Sequence, residues 1–77
     1  MVVLTDKDFP PIWGDKIPDY AFEGRKYITK VEIPNKFTEI GDFAFSGCTG
    51  LIEIHLPDTL TKISVSAFCG CSGLTEL

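Results

Sequence analysis

Apolar residues recur along this chain with a period of 23 positions. Three columns show the period most clearly: an isoleucine (Ile17, Ile40, Ile63), an Ala-Phe pair (Ala21-Phe22, Ala44-Phe45, Ala67-Phe68) and a glycine (Gly24, Gly47, Gly70). So many coincident columns over three copies predict a tandem array. In such an array each copy is one structural unit that buries its apolar side chains by stacking on its neighbours.

Each copy contains a short run that is typical of a β-strand. Residues Leu51 to Leu56 alternate between apolar and polar positions, which predicts a strand with one buried face. Pro57 is expected to end this strand, because proline cannot donate a hydrogen bond to a sheet. The following segment, 58–62, is expected to turn the chain so that Ile63 points into the core.

A second corner precedes each strand. Residues 42–46 are too few for a regular helix, so Asp42 is expected to cap a single helical or 3₁₀ turn that carries Ala44 and Phe45 inward. Gly47 then supplies the permissive backbone that the chain needs to enter the next strand. A strand, a corner, a turn and a glycine corner together make one coil of a solenoid.

The first 16 residues follow this pattern only in part. Phe9-Pro10 resembles Ile33-Pro34, but with one extra residue before Ile17. We therefore interpret residues 1–16 as a degenerate first coil or N-terminal cap, in which Trp13 and Phe9 cover the end of the core. Atypical terminal units are expected in repeat proteins.

Residues 17–77 form the regular part of the array, and the last copy is truncated. The chain stops at Leu77 in the middle of an expected strand, which leaves apolar side chains and a strand edge uncovered. The sequence thus predicts either a piece of a longer array or a homo-oligomer that pairs through this C-terminal strand.

Composition narrows the classes of function. The chain has 77 residues, with 44% hydrophobic and 23% charged residues, which fits one small folded domain. The formal net charge is −4 and the basic residues are scattered, so the sequence predicts no nucleic-acid binding. It contains no apolar run of about 18 residues, so we expect no membrane insertion. The first residues do not resemble a signal peptide, which does not exclude export of a longer parent chain.

Together these motifs resemble the BspA-like family of leucine-rich repeats. The positions that carry the resemblance in the third copy are Leu51, Ile54, Leu56, Pro57, Leu60, Ile63, Ala67, Phe68 and Cys71, and in the second Ile28, Val31, Ile33, Pro34, Phe37, Ile40, Ala44, Phe45 and Cys48. The first copy departs from the pattern, because Arg25 replaces the cysteine.

The resemblance implies a mostly β, α/β-type repeat: a right-handed leucine-rich-repeat solenoid. A short parallel sheet would line its concave side, and helical or 3₁₀ turns its convex side. It implies a protein–protein interaction or adhesion module at the cell surface or in secreted form, with no enzyme activity, cofactor or metal. An alternative is a structural spacer or terminal fragment that associates with itself through its open C-terminal end.

Strand residues between the buried apolar ones are expected to face outward on the concave side. They form a mixed, mildly acidic set that we predict as the concave interaction face: Lys30, Glu32, Glu53, His55 and Glu76. The plainer interpretation is an exposed sheet face that is merely solvated. One imidazole with two carboxylates on a flat, wet sheet lacks a third fixed ligand, so we predict neither a metal site nor a catalytic site there.

Two other groups of residues are candidates for contacts. Tyr20 and Phe43 are one period apart and predict a convex aromatic patch, unless their rings only cover the edge of the core. Cys48 and Cys71 share a column and are expected to be small buried hydrophobes. Cys69 stands where earlier copies have exposed polar residues, and it is the thiol expected to react.

Overall fold

The computed structural model describes residues 2–74 of the chain. The strands, in chain order, are β1 (Val2–Leu4), β2 (Lys16–Ile17), β3 (Ile28–Glu32), β4 (Glu39–Ile40), β5 (Glu53–His55) and β6 (Lys62–Ile63). Two 3₁₀ helices, Asp6–Asp8 and Pro11–Trp13, lie between β1 and β2.

Within residues 2–74 the strands form two parallel sheets, β1-β3-β5 and β2-β4-β6. Val31 lies opposite Ile54 in the first sheet, and Ile17 lies opposite Ile40 in the second. Both pairs are one period apart in sequence, so one 23-residue copy is one coil of the solenoid. The predicted fold class, a leucine-rich-repeat solenoid with a parallel sheet, is therefore confirmed.

The second sheet was not predicted. Each of its strands has only two residues, at the corner where the sequence indicates a turn. The stacking of coils explains this second sheet, because equivalent corners of successive coils lie side by side and their backbones can form hydrogen bonds. A local pattern of two residues carries too little information to predict this pairing.

The core consists of columns of equivalent side chains from successive coils. The rings of Phe22, Phe45 and Phe68 are stacked, with centroids 5.3 and 5.4 Å apart. Ala44 and Phe45 are fully buried, as the sequence predicts. Such stacking explains why the period is strict, since a displaced residue would lose its equivalents on both sides.

The convex side is built from hydrogen-bonded turns, and the single turn expected at residues 42–46 forms, with Ser46 N donating to Phe43 O at 3.1 Å. Ala44 N donates to Gly41 O at 3.4 Å within its coil. Phe45 N and Gly47 N instead donate to the next coil, at 2.8 Å each. A longer helix would need these donors for its own carbonyls, so hydrogen bonding between coils limits the local structure to one turn.

Two glycine columns follow from this stacking. The residues of the first column have positive φ angles, which glycine adopts at little cost: 74° at Gly24, 75° at Gly47 and 78° at Gly70. In the second column, a Cβ atom on Gly73 would lie 2.6 Å from the carbonyl oxygen of Leu51 in the preceding coil. The first copy has Tyr27 in that column, and this side chain is 53% exposed. A side chain is thus accommodated only in the first copy.

The first coil is longer than the others. Leu4 lies opposite Val31, 27 positions away, and the additional residues form the two 3₁₀ helices. The equivalence of Phe9-Pro10 with Ile33-Pro34 is not in register, because the 3₁₀ helix Asp6–Asp8 lies between β1 and Phe9, whereas Ile33 directly follows β3. The proposed boundary after residue 16 lies inside β2.

Aromatic side chains cover the N-terminal end of the core. Phe9 is buried, and its ring centroid lies 5.6 Å from that of Phe22 and 5.4 Å from that of Phe37. The half-buried Trp13 packs edge-on against Phe22 at 5.7 Å. These contacts place Phe9 and Trp13 where the sequence predicts a cover for the core.

The opposite end of the array is more open. Ile17 and Ile40 are 0% and 1% exposed, whereas the equivalent Ile63 is 38% exposed. Ile63 lies opposite Ile40 in the second sheet, in the predicted column, and its partial exposure agrees with the uncovered apolar side chains that the sequence predicts at this end. Within residues 2–74 no further coil lies over this side chain to complete its burial.

Candidate interaction surfaces

The concave face is the outer surface of sheet β1-β3-β5. Ile28 and Val31 of β3 are buried. Lys30, which lies between them, is partly exposed, and Glu32, which follows them, is exposed. From Lys30 to Ile33 exposed and buried side chains alternate, since neighbouring side chains on a strand point to opposite faces. Parallel register then sets Lys30 beside Glu53 and Glu32 beside His55.

These side chains form a connected charged cluster across two coils. Lys30 Nζ lies 3.4 Å from the Glu32 carboxylate and 3.8 Å from the Glu53 carboxylate. His55 Nε2 is in hydrogen-bonding contact with Glu53. This contact, followed by the charge of Lys30, holds the pKa of Glu53 below its ordinary value. Glu53 is therefore ionised over a wider pH range than a free carboxyl group.

The structure brings together Lys30, Glu32, Glu53 and His55, while Glu76 lies outside the described residues. Across residues 2–74 no group of three or more His, Cys, Asp or Glu side chains is arranged to hold a metal ion. We refer to these four side chains below as the concave cluster.

The sequence analysis missed an apolar part of the same face. Ile52 is 67% exposed directly before β5, and its N–H donates to Thr29 O at 3.0 Å. Val3 lies opposite Lys30 and is also exposed. Column assignment could have revealed Ile52, because the equivalent residue one period earlier is the polar Thr29.

The convex aromatic patch has a defined geometry. The Tyr20 and Phe43 rings stack 5.3 Å apart at an angle of 8°. Tyr20 is 56% exposed, whereas Phe43 is half-buried by its neighbours. Both residues have positive φ angles, 63° and 57°. Bulky side chains rarely adopt this conformation, so the backbone is strained at both stacked rings.

Aspartates support the backbone beside this patch. Asp19 Oδ1 accepts a hydrogen bond from Asp42 N at 2.8 Å, and Tyr20 N donates to Asp42 O at 2.9 Å. The Asp42 carboxylate accepts a hydrogen bond from the Ser64 hydroxyl in the next coil. Each aspartate therefore links its own coil to the following one.

The three cysteines fall into a buried pair and one exposed thiol, as the sequence predicts. Cys48 and Cys71 are buried, and their thiols donate to the carbonyl oxygens of Phe22 at 3.2 Å and Phe45 at 3.0 Å. Burial raises the pKa of Cys48 to about 11 and also raises that of Cys71. Cys69 is exposed, and all three thiols are free. Cys48 and Cys71 therefore fill space in the core, and each thiol donates a weak hydrogen bond to the preceding coil.

Stacked 23-residue coils with a parallel sheet and an exposed strand face define a leucine-rich-repeat protein. The family model described as "BspA type Leucine rich repeat region (6 copies)" matches residues 15–77. The chain belongs to this BspA-type leucine-rich-repeat family.

A solved structure supports the same assignment. The chain is similar to the crystal structure of a leucine-rich repeat protein of T. pallidum, with a TM-score of 0.75 and 39% sequence identity. The match covers 77% of this chain and 28% of that protein, so the present chain spans less than a third of the length of its neighbour. The search of curated proteins found no significant match. In the described residues no helix is long and apolar enough to cross a membrane.

Proposed function

We propose that this chain is a non-catalytic protein-interaction or adhesion module that binds a protein partner through its concave face. Family membership supports a general function in protein binding, because leucine-rich repeats are scaffolds that usually mediate protein contacts. The observation that carries the specific proposal is the concave cluster, whose charged side chains are paired on regular strands and exposed to solvent. The strands already order the backbone of these residues, so binding does not have to order this segment first.

The composition of the face also favours a protein partner. Val3, which lies opposite Lys30 in the sheet, supplies an exposed apolar side chain beside charges of both signs. Protein interfaces commonly combine an apolar centre with a polar rim, and the charges determine orientation and partner choice. The net charge of −4 disfavours a nucleic-acid partner.

We also propose that the protein acts at the cell surface or in secreted form. The BspA-type family supports this location, since its proteins are typically found there. Surface staining of intact source cells with an antibody against the chain tests this part of the proposal. Staining only after the cells are permeabilised would refute it.

A capture experiment tests the concave face. The wild-type chain and the double variant Glu53→Lys/His55→Ala are immobilised and exposed to surface and secreted proteins of the cells with which the organism associates. We expect a partner that the wild type retains and the double variant loses. Asp58→Lys is the matched control, because it introduces the same charge change at an exposed position outside the strands.

Circular dichroism must show that all three proteins are folded. Equal capture by the wild type and the double variant would exclude the concave face as the binding surface.

A second candidate function is a structural spacer that associates with itself. Its support is the open end of the array, where Ile63 is 38% exposed. Other apolar side chains at this end are also only partly buried: Ile54, Leu56, Leu60, Phe68 and Leu74. Light scattering should then show a dimer that Ile63→Lys dissociates. A monomer at all concentrations would refute this candidate.

A further inference from the structure

The corner that follows β1 and β3 is closed between the second and third coils but not between the first and second. Thr59 of the third coil donates its hydroxyl to Phe37 O at 2.7 Å, and Ile33 N donates to His55 O at 3.2 Å. The backbone hydrogen bonds of the two 3₁₀ helices in the first coil stay within residues 5–14. Among the described residues, the longer first coil is therefore not hydrogen-bonded to the second coil at this corner.

A cavity of about 580 Å³ lies between these 3₁₀ helices and the second coil, a size within the range of pockets that hold ligands. We call it the proline cavity, because its lining is mainly apolar and includes Pro10, Pro11 and Pro34 together with Phe9. Phe9 is buried, and it packs against Phe37 with ring centroids 5.4 Å apart. This side of the cavity is thus fixed by the core and is present before any ligand binds.

The proline cavity carries a net positive charge. Its charged lining residues are Lys7, Lys36 and Asp6, and all three are exposed. None of the ion pairs among residues 2–74 includes either of these lysines. Lys36 Nζ instead lies 5.2 Å from the centroid of the Phe37 ring. The cavity therefore offers positive charge to a ligand, although the net charge of the chain is −4.

We propose that the proline cavity binds an aromatic side chain and a neighbouring carboxylate of a partner protein. Proline and aromatic side chains recognise each other in the aromatic grooves that bind proline-rich peptides. Here the chain supplies the prolines, so the partner supplies the aromatic ring. Lys7 and Lys36 would pair with the acidic side chain beside that ring. The cavity shares no residue with the concave cluster, so its test stands whatever the capture experiment shows.

An NMR titration of the full chain tests the proline cavity. The probes are three end-capped tetrapeptides: Gly-Phe-Glu-Gly, Gly-Ala-Glu-Gly without the ring, and Gly-Phe-Gln-Gly without the charge. We expect Gly-Phe-Glu-Gly to shift the Lys36 amide signal saturably, with a Kd of about 1 mM. The indole signal of Trp13 should shift as well, because its ring packs edge-on against Phe9. The peptide without the ring should show no binding, and the uncharged peptide should bind about fivefold more weakly.

Variants of the chain test the lining residues. Lys7→Gln/Lys36→Gln removes both positive charges and should weaken the binding of Gly-Phe-Glu-Gly about fivefold or more. Lys26→Gln/Lys62→Gln is the matched control, because it changes the net charge equally at exposed residues outside the cavity. Pro11→Ala removes one exposed ring at the start of a 3₁₀ helix and should weaken binding about threefold. Circular dichroism must show that every variant is folded.

Three results would overturn the proposal. These are equal affinity for the Glu and Gln peptides, equal affinity of the Lys7→Gln/Lys36→Gln variant and its control, or no saturable shift with Gly-Phe-Glu-Gly. Phenylpropanoate, which has a ring and a carboxylate but no peptide backbone, is included as a further probe. If it binds as tightly as the tetrapeptide or more tightly, the cavity is a site for small aromatic acids and the docking of a partner protein is refuted.

Discussion

Replacing Phe45 with alanine tests most directly whether stacked coils hold this protein together. The side chain is fully buried, and its ring lies between those of Phe22 and Phe68. Alanine would leave a cavity and remove both ring contacts, at a cost of about 3–5 kcal/mol. A domain of 77 residues has a total stability of about 4–12 kcal/mol at typical values per residue. We therefore expect the variant to lose a large part of its free energy of unfolding.

Urea denaturation measures this loss, with far-UV circular dichroism and the fluorescence of Trp13 as independent signals. Phe68→Ala is the matched control, because Phe68 is half-buried and stacks on Phe45 on one side only. This control should cost about 1–2 kcal/mol. Equal losses in the two variants, or a loss below about 1 kcal/mol for Phe45→Ala, would refute the stacked-column account of the core.

Three further measurements follow from the structure. A thiol reagent at neutral pH should modify Cys69 rapidly and Cys48 only on unfolding, since burial raises the pKa of Cys48 to about 11; equally fast modification of both would contradict its burial. His55→Ala should raise the pKa of Glu53 in an NMR titration, because it removes the largest cause of the lowered value. Because the pKa of Glu53 is lowered in the folded chain, its contact with His55 stabilises the fold at pH values above the ordinary carboxyl pKa. This contribution is lost as the pH falls through the pKa that Glu53 has in the folded chain. An unchanged Glu53 pKa in the variant would contradict this. Gly47→Ala should lower the free energy of unfolding by about 1–2 kcal/mol, because φ is 75° there; an unchanged urea midpoint would show that the turn relaxes.

The two surfaces could be predicted from the sequence to different degrees. The concave cluster follows from alternation and period together, since both place Lys30 beside Glu53 on the outer face. The pairing of Lys30 with two carboxylates at once depends on side-chain distances that no spacing contains. For the aromatic pair, the period placed Tyr20 and Phe43 in one column, but the strained backbone at both residues appears only in the folded coil.

The 23-residue spacing alone identifies which residues are equivalent, because coils can stack only when each supplies the same apolar side chains at the same place. It therefore predicts the Ala-Phe columns, the buried Cys48 and the glycine corners. The folded chain was needed to reveal the second sheet and the longer first coil. These features depend on backbone pairing between neighbouring coils. Contacts between coils are made by residues distant in sequence, so a local pattern cannot specify them.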